Sequence, residues 1–356
     1  MRRVCFFGAY DPAYPRNRIL REGLRRAGLG VLEARVRETR AFRRWPALAA
    51  AWRPLAATAD VVLVPEFRHK DVPLARALCG RRPLVFDPLV SRWDTLVGDW
   101  KLHGEGSGQA RWNRMIDRWS LSAADLVLCD TWAHGELFIS LGAKRERVRR
   151  VLVGAEDEFF RISPPPAAGV LRVTYIGGFL PLHGTRVILE AAALLEARGA
   201  ALPPWRLQLV GTGIEYERDR AFAGERRLEC VEFAGRLPYD EAPRVLAESH
   251  VVLGAFGAGE KAGRVIPHKL WQGLAAGRAV VTGDGPGVRE VFEDGRHLAL
   301  VPRGDAGALA DALSSLLGSA ARRHALGEAA HARALEIATP EAVGRSLADA
   351  IAEVAA

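Results

Sequence analysis

Residues 263–281 read GRVIPHKLWQGLAAGRAVV, a segment that begins with basic side chains, runs through an apolar stripe and ends as a strand. Arg264, His268 and Lys269 stand where the chain turns into a helix, Leu270, Trp271 and Leu274 follow at helical spacing, and Gly277 fits the helix end. Gly-Arg-Ala-Val-Val then returns to strand. A helix start already carries the positive end of the peptide dipole, so cations gathered there raise the energy unless an anion is bound. The segment therefore predicts a helix–strand unit of a parallel sheet and, at the start of its helix, an anion site.

The same alternation extends to both sides. Arg3–Gly8 is strand-like, and Arg16–Ala27 is helical, with Ile19, Leu20 and Leu24 on one face and Gly28 as its stop. DVVLVP (60–65), PLVFDP (83–88) and ADLVLCD (124–130) read as buried strands, and RRVLVGAED (149–157) closes the first half. The run Ser163-Pro164-Pro165-Pro166-Ala167-Ala168-Gly169 cannot continue a helix or enter a central strand, so a stiff spacer and a hinge are expected there. This places one domain over 1–166 and a second over 167–338. The second half repeats the pattern: LRVTYIGG (171–178), a helix over Thr185–Ala197, RLQLVGTG (206–213), CVEFAGRL (230–237), HVVLGAF (250–256), RAVVTGD (278–284), LALV (298–301) and a helix from Asp305 to Leu317. In the tail, Thr339 is an N-cap with Pro340 at the first helical position, and Val343, Leu347, Ile351 and Val354 form a stripe expected to pack back on the first domain (helix 339–356). The expected fold class is α/β: two Rossmann-like domains facing across a cleft lined by the loops that follow the strands.

The bulk composition narrows the function. With 356 residues, 49% apolar and 26% charged, the chain is large enough for two cores. It has no apolar run long enough to span a bilayer. Met1–Gly8 has too short an apolar part for a signal sequence and is followed at once by charge, so it reads as a first strand. Cys5, Cys79, Cys129 and Cys230 are scattered, match no metal spacing and fit reduced thiols of a cytoplasmic protein. The net charge of +8 comes mostly from arginines spread along the chain. It suits anionic substrates, whereas the basic patch interleaved with aromatics that would mark a nucleic-acid binder is missing.

Four loops of the second half place glycine directly after a strand: Gly177-Gly178, Gly211-Thr212-Gly213, Gly235-Arg236-Leu237 and Gly283-Asp284-Gly285. Glycine lets backbone N–H groups approach a ligand closely. The isolated Gly-Thr-Gly lacks the third glycine of a dinucleotide fingerprint.

The segments VTYIGGFLPLHGTRVILEAAALL, LQLVGTG, VEFAGRLPYDEAPRVLAESHVVLGAF and VIPHKLWQGLAAGRAVVTGDGPGVREVFEDGRHLALV, in this order, resemble the donor-binding half of family 4 glycosyltransferases over most of residues 170–318. FFGAYDPAYPRNRILREGLRRAG, VFDPLVSRWDT and ADLVLCDTWAHGELF resemble their first half more loosely. The resemblance implies the GT-B fold and transfer of a sugar from a nucleotide-sugar donor, with retention, to a glycan or lipid-linked acceptor in surface polysaccharide or glycolipid biosynthesis. It implies no cofactor and no required metal. The anion at the helix start would be the donor diphosphate, neutralised by Lys269 with Arg264 or His268, while His183 and Gly184 of PLHGT lie near the phosphates. Leu237, beside Arg236, would meet the nucleobase, and Glu290 the donor sugar. Two positions depart from the family pattern. Gln272 stands where an acid holds the ribose, and Arg264 where an acid contacts the donor sugar. Arginine only donates hydrogen bonds, so phosphate or carboxylate is its expected partner.

The first half would hold the acceptor, through Gly8, Tyr10, Asp11 and Arg16 after the first strand. Asp87, at the end of a buried strand, is the catalytic candidate beside Lys269 and Arg264; Asp94 and His134 are lesser ones. FRRWPALAAAWRPL (42–55) sets Phe42, Trp45, Leu48, Ala49 and Trp52 beside Arg43, Arg44 and Arg53. This is either a helix packed on the sheet or a peripheral membrane contact at the inner face of the membrane. The departures at Gln272 and Arg264 keep a non-catalytic binder of nucleotide or glycan as an alternative. A nucleotide-sugar 2-epimerase would need more acids and histidines around the sugar than the sequence offers.

Overall fold

The computed structural model describes residues 2–38, 40–167, 169–199 and 202–355. The chain forms two compact units, Met1–Gly154 with Thr339–Ala356, and Ala155–Ala338.

Unit 1 is a six-stranded, all-parallel sheet in the order β2-β1-β3-β4-β5-β6. Its strands are β1 (Arg3–Gly8), β2 (Gly30–Arg35), β3 (Val61–Val64), β4 (Leu84–Phe86), β5 (Leu126–Cys129) and β6 (Val148–Arg150). The helices of this unit are α1 (Pro15–Arg26), α2 (Ala41–Trp52), α3 (Val72–Cys79), α4 (Gly108–Ala123) and α5 (Trp132–Leu141), with a further one from the tail. The central strands are apolar throughout because helices cover both faces. The strand order reverses between β1 and β3, and ligands of such sheets sit beyond the carboxyl ends at that reversal.

Unit 2 contains β7 (Leu171–Ile176), β8 (Trp205–Val210), β9 (Val231–Gly235), β10 (Val251–Leu253), β11 (Ala279–Gly283) and β12 (Ala299–Val301). Its order is β12-β11-β10-β7-β8-β9, again all parallel. Counted from β7 as the first strand, this is the Rossmann order 3-2-1-4-5-6, with the reversal between β7 and β10. Its helices are α6 (Thr185–Ala197), α7 (Tyr216–Glu225), α8 (Ala242–Ala247), α9 (Glu260–Arg264), α10 (His268–Ala275), α11 (Pro286–Arg289), α12 (Ala306–Gly318) and α13 (Ala320–Ile337). Leu270, Trp271 and Leu274 of α10 are buried, and Gly277 follows it in the left-handed region at φ 66°.

The division falls at Gly154/Ala155, ahead of the proline run and of the expected boundary at 166/167. The segment before the prolines is hydrogen-bonded into unit 2: Ala155 N–H donates to Ala338 O at 2.9 Å, the Arg278 guanidinium to Ser163 O, and Pro166 O lies 2.9 Å from His250 Nε2. Of the expected hinge at 164–169, Ala168 lies outside the described residues.

The tail helix α14 (Pro340–Val354) belongs to unit 1, although Ala356 lies outside the described residues. Thr339 caps it, its hydroxyl accepting from Ala342 N–H at 3.2 Å. Val343, Leu347 and Ile351 are buried against Ile19, Leu20 and Leu24 of α1, each stabilising by about 1.5–3 kcal/mol. Glycine makes the crossing this close. A Cβ on Gly23 would lie 2.3 Å from Pro340 O, and one on Gly344 would lie 2.1 Å from the Gly23 carbonyl carbon.

Helix α2 packs on the sheet of unit 1. Leu48 and Trp52 enter the core, and the Arg44 guanidinium pairs with Asp71 at 2.7 Å. Among the described residues no helix is long and apolar enough to cross a membrane.

Candidate functional site

In unit 2 the loops at the β7/β10 reversal are stitched together. Phe256 N–H donates to His183 O (2.9 Å) and Gly257 N–H to Leu182 O (3.1 Å). The glycines here serve close packing of loops. Gly211 has φ 133°, and a Cβ on it would lie 1.9 Å from Gly177 O, while one on Gly213 would lie 2.5 Å from Phe179 O. Thr212 O accepts from Phe179 N–H at 3.0 Å. At Gly177, φ is 149° and a Cβ would stand 2.7 Å from both Cε and Nζ of Lys269. Glycine at 177 is what admits the lysine.

Lys269, in the first turn of α10, is buried with only 6% of its surface exposed. Its ammonium lies 3.8 Å from the centroid of the Tyr175 ring and has no hydrogen-bond partner. Burial pushes its pKa well below 10.5. A desolvated cation with unspent donors is costly in a folded protein unless a ligand compensates it.

His183 lies in the same glycine loop. Its Nδ1 is hydrogen-bonded to Gly178 O, which also accepts from the Tyr175 hydroxyl. A carbonyl only accepts, so the proton is on Nδ1. Burial, then the nearby Lys269 charge and more weakly that of Lys261, hold the imidazole well below 6.5 and therefore neutral. His183 thus braces the glycine loop, and the cation at the loop is Lys269.

Arg264 does not stand at the start of the α10 helix. It ends α9, where a cation suits the dipole, and its guanidinium pairs with Glu260 at 2.9 Å. His268 is the half-buried first residue of α10. Gln272 is buried, and its Nε2 donates to the Tyr239 hydroxyl at 2.6 Å, which in turn donates to Glu156 Oε1 at 2.8 Å. Arg236 is exposed and Leu237 half-buried, both in the loop after β9. Glu290 caps the carboxyl end of α11.

Three residues of this region escaped the sequence reading. Lys261 is buried in α9. Tyr239 orients Gln272. Arg303, after β12, donates to Asp284 O at 3.0 Å and lies so close to Gly263 that a Cβ there would meet its Nη1 at 1.7 Å. A basic residue directly after a strand, as in LVPRGD, is the one signal that would have flagged Arg303.

In unit 1 the acceptor-side candidates are largely spent on structure. Arg16 is fully buried and makes a two-point pair with Asp87 (Nε–Oδ2 2.9 Å, Nη2–Oδ1 3.1 Å), while its Nη1 donates to Val151 O and Leu152 O. Both Asp87 oxygens are thereby occupied, which fits an anchor better than a catalytic carboxylate. The Tyr10 hydroxyl donates to Glu33 at 2.6 Å. Asp11 forms the turn into α1, accepting from Ala13 N–H and from the Asn17 amide. Gly8 ends β1 at φ 147°, with room for a Cβ only 3.3 Å from the Asp71 carboxylate. Asp94 is buried, its backbone N–H bonded to Ser91 Oγ. His134 is buried with Nδ1 2.7 Å from Asp130.

Glu66, which the sequence reading passed over, follows β3 at the reversal of the unit 1 sheet. Oε1 accepts from the Asn17 amide at 2.8 Å, and Oε2 is buried without a hydrogen bond. Burial, then the charge of Asp87, raises its pKa to about 8. The native state therefore keeps a proton that the unfolded chain gives up near 4.5. Stability contributed by this group is full below that value and is lost as pH rises toward the folded pKa. Glu66→Gln is expected to flatten the decline of unit 1 melting temperature from mildly acidic to mildly alkaline pH, measured by calorimetry. Superimposable profiles for variant and parent would contradict this.

The comparisons with known proteins bear on unit 2 first. Residues 171–319 match the family model described as Glycosyl transferases group 1. The amylovoran biosynthesis glycosyltransferase AmsK of Erwinia amylovora is 28% identical over 194 residues, 54% of this chain and 46% of that protein. The putative colanic acid biosynthesis glycosyltransferase WcaL of Escherichia coli strain K12 is 31% identical over 197 residues, 53% of this chain and 46% of that protein. The chain thus spans about half the length of the curated relatives it matches. The crystal structure of Anabaena Alr3699/HepE in complex with UDP-glucose superposes with a TM-score of 0.73 at 16% identity, over 99% of this chain and 100% of that one. The chain has the GT-B fold.

Proposed function

We propose, from the match of residues 171–319 to the family model of glycosyl transferases group 1, that this chain transfers a sugar from a nucleoside-diphosphate sugar to a glycan or lipid-linked acceptor in surface polysaccharide or glycolipid assembly. The observation that carries the reading is the buried Lys269 ammonium, set against Gly177 at the β7/β10 reversal with no hydrogen-bond acceptor of its own. A diphosphate would supply that acceptor. HepE, which shares the fold, binds UDP-glucose. AmsK and WcaL are named for polysaccharide biosynthesis.

In the proposed reaction the bond between the sugar's anomeric carbon and the β-phosphate oxygen breaks. A new bond forms to an acceptor hydroxyl, whose proton passes to the departing diphosphate, and the anomeric configuration is retained. Lys269, with Lys261, Arg264 and Arg303 of the same unit, would neutralise the charge that grows on the leaving diphosphate. The chemistry asks no metal of these residues. Gln272 would face the ribose, its amide orientation fixed by Tyr239: the hydroxyl gives its proton to the Glu156 carboxylate and accepts from Nε2, so Oε1 remains as the acceptor for a ribose hydroxyl.

A thermal-shift panel of nucleoside diphosphates and their sugars tests the donor class. Stabilisation by one base series supports it, and no shift with any of them sinks it. Arg264→Glu is expected to lower kcat/KM with the preferred donor by about tenfold or more, since a carboxylate beside Glu260 would repel phosphate. Undiminished turnover would make Arg264 a bystander. The replacement of two family acids by Arg264 and Gln272 supports a second reading, a donor binder without turnover. Donor stabilisation without release of nucleoside diphosphate in the presence of acceptor would select it.

A further inference from the structure

We infer that the outer face of α4 is a docking surface for an anionic phospholipid bilayer. This sixteen-residue helix buries Asn113, Ile116, Asp117, Ser120 and Leu121 against unit 1 and leaves the opposite side in solvent. On that side Trp112, Met115 and Trp119 recur at i, i+3 and i+7, with 51, 48 and 52% of their surfaces exposed. Beside this stripe Arg111, Arg114 and Arg118 recur at the same spacing, all exposed. Scattered single apolar residues on a surface mean little, whereas two tryptophans and a methionine on one helical stripe do not arise from packing needs.

Charge decides the occupant. Between Gly108 and Ala123 the one acid is Asp117, which faces inward, accepting from Ser91 Oγ and the backbone N–H groups of Arg92 and Trp93. The exposed face is therefore cationic without an internal counter-charge. Tryptophan prefers the headgroup level of a bilayer, where its ring is apolar and its N–H can be wet, and arginine stems reach from there to lipid phosphates. The combination describes a helix lying in an anionic interface. On α2, by contrast, Leu48 and Trp52 are buried in the core while Phe42 and Trp45 are exposed.

The test is co-sedimentation of the full chain with vesicles of phosphatidylcholine alone and of phosphatidylcholine with phosphatidylglycerol in equal parts. The parent is expected to bind the anionic vesicles, to release in raised salt, and to ignore the neutral ones. Trp112→Ser with Trp119→Ser, and separately Arg111→Glu with Arg118→Glu, should each weaken partitioning by about tenfold or more. Melting temperature and response to nucleotide should stay at parent values, because α4 contributes nothing to the proposed donor site. The inference falls if the parent stays in the supernatant with anionic vesicles, or if folded variants bind as well as the parent. It falls equally if the stripe proves to be a protein interface, shown by a concentration-dependent dimer in sedimentation velocity that the tryptophan substitutions abolish.

Discussion

Lys269→Met is expected to cost about 1.5–3 kcal/mol of donor binding, about 13- to 160-fold in Kd, while leaving the protein as stable as the parent or more so. The two halves of this prediction rest on the same fact. The ammonium is buried and gives no hydrogen bond to the protein, so it contributes charge to the site and little to the fold. Methionine fills the same volume beside Tyr175 and Gly177 without the desolvation cost. Titration calorimetry with the nucleotide chosen by the thermal-shift panel, and a melting curve of each protein, would check both halves. A variant that binds as well as the parent removes Lys269 from the site. One that fails to fold makes it a structural lysine.

Asp87→Ala should do the reverse. It leaves the Arg16 guanidinium fully buried with its two-point partner gone. Stripping one partner from such a pair typically costs about 3–5 kcal/mol. The loss should appear in the unfolding transition of unit 1, followed by urea titration. The two units need not unfold as one, so a single midpoint is not the readout. A double change, Arg16→Met with Asp87→Leu, should recover much of the stability, because apolar side chains of similar volume can replace a buried pair. An Asp87→Ala protein of parental stability that has lost turnover would return Asp87 to the catalytic role its sequence position suggested.

These two buried cations show what a sequence can and cannot convey. The helix–strand unit at residues 263–281 was legible because its signals are local: helical spacing in Leu270, Trp271 and Leu274, and glycine at 277, whereas Arg264 falls on the preceding helix α9. The same holds for the capped tail helix at Thr339 and Pro340. The Arg16–Asp87 pair was illegible because its members are 71 residues apart, and neither position is unusual for a helix start or a strand end. Tyr239, which meets Gln272 and Glu156 33 and 83 residues away, escaped for the same reason. Strand β2, GVLEAR, went unread because it is an edge strand with a charged, half-exposed pattern and no continuous apolar run. The glycines after the strands were legible as close-approach positions, but sequence could not say what approaches. At Gly211 it is the Gly177 backbone, and at Gly177 it is Lys269. The sequence reading left α2 open between a packed helix and a membrane contact, and passed over RWNRMIDRW of α4, where Trp112, Met115 and Trp119 are exposed.

Proton linkage tests most directly the proposed role of Lys269 as the buried cation that pairs with the donor diphosphate. Burial holds the lysine pKa well below 10.5 in the protein alone. A bound diphosphate raises it again, so between the two values the site takes up a proton on binding, and affinity falls as pH rises through that window. Calorimetric titration of the preferred nucleotide in buffers of different ionisation enthalpy, across a pH series, measures this uptake. The expected result is an uptake rising to about one proton per site in the parent and absent in Lys269→Met. Equal uptake in both proteins, or nucleotide binding with no uptake at any pH, would contradict it.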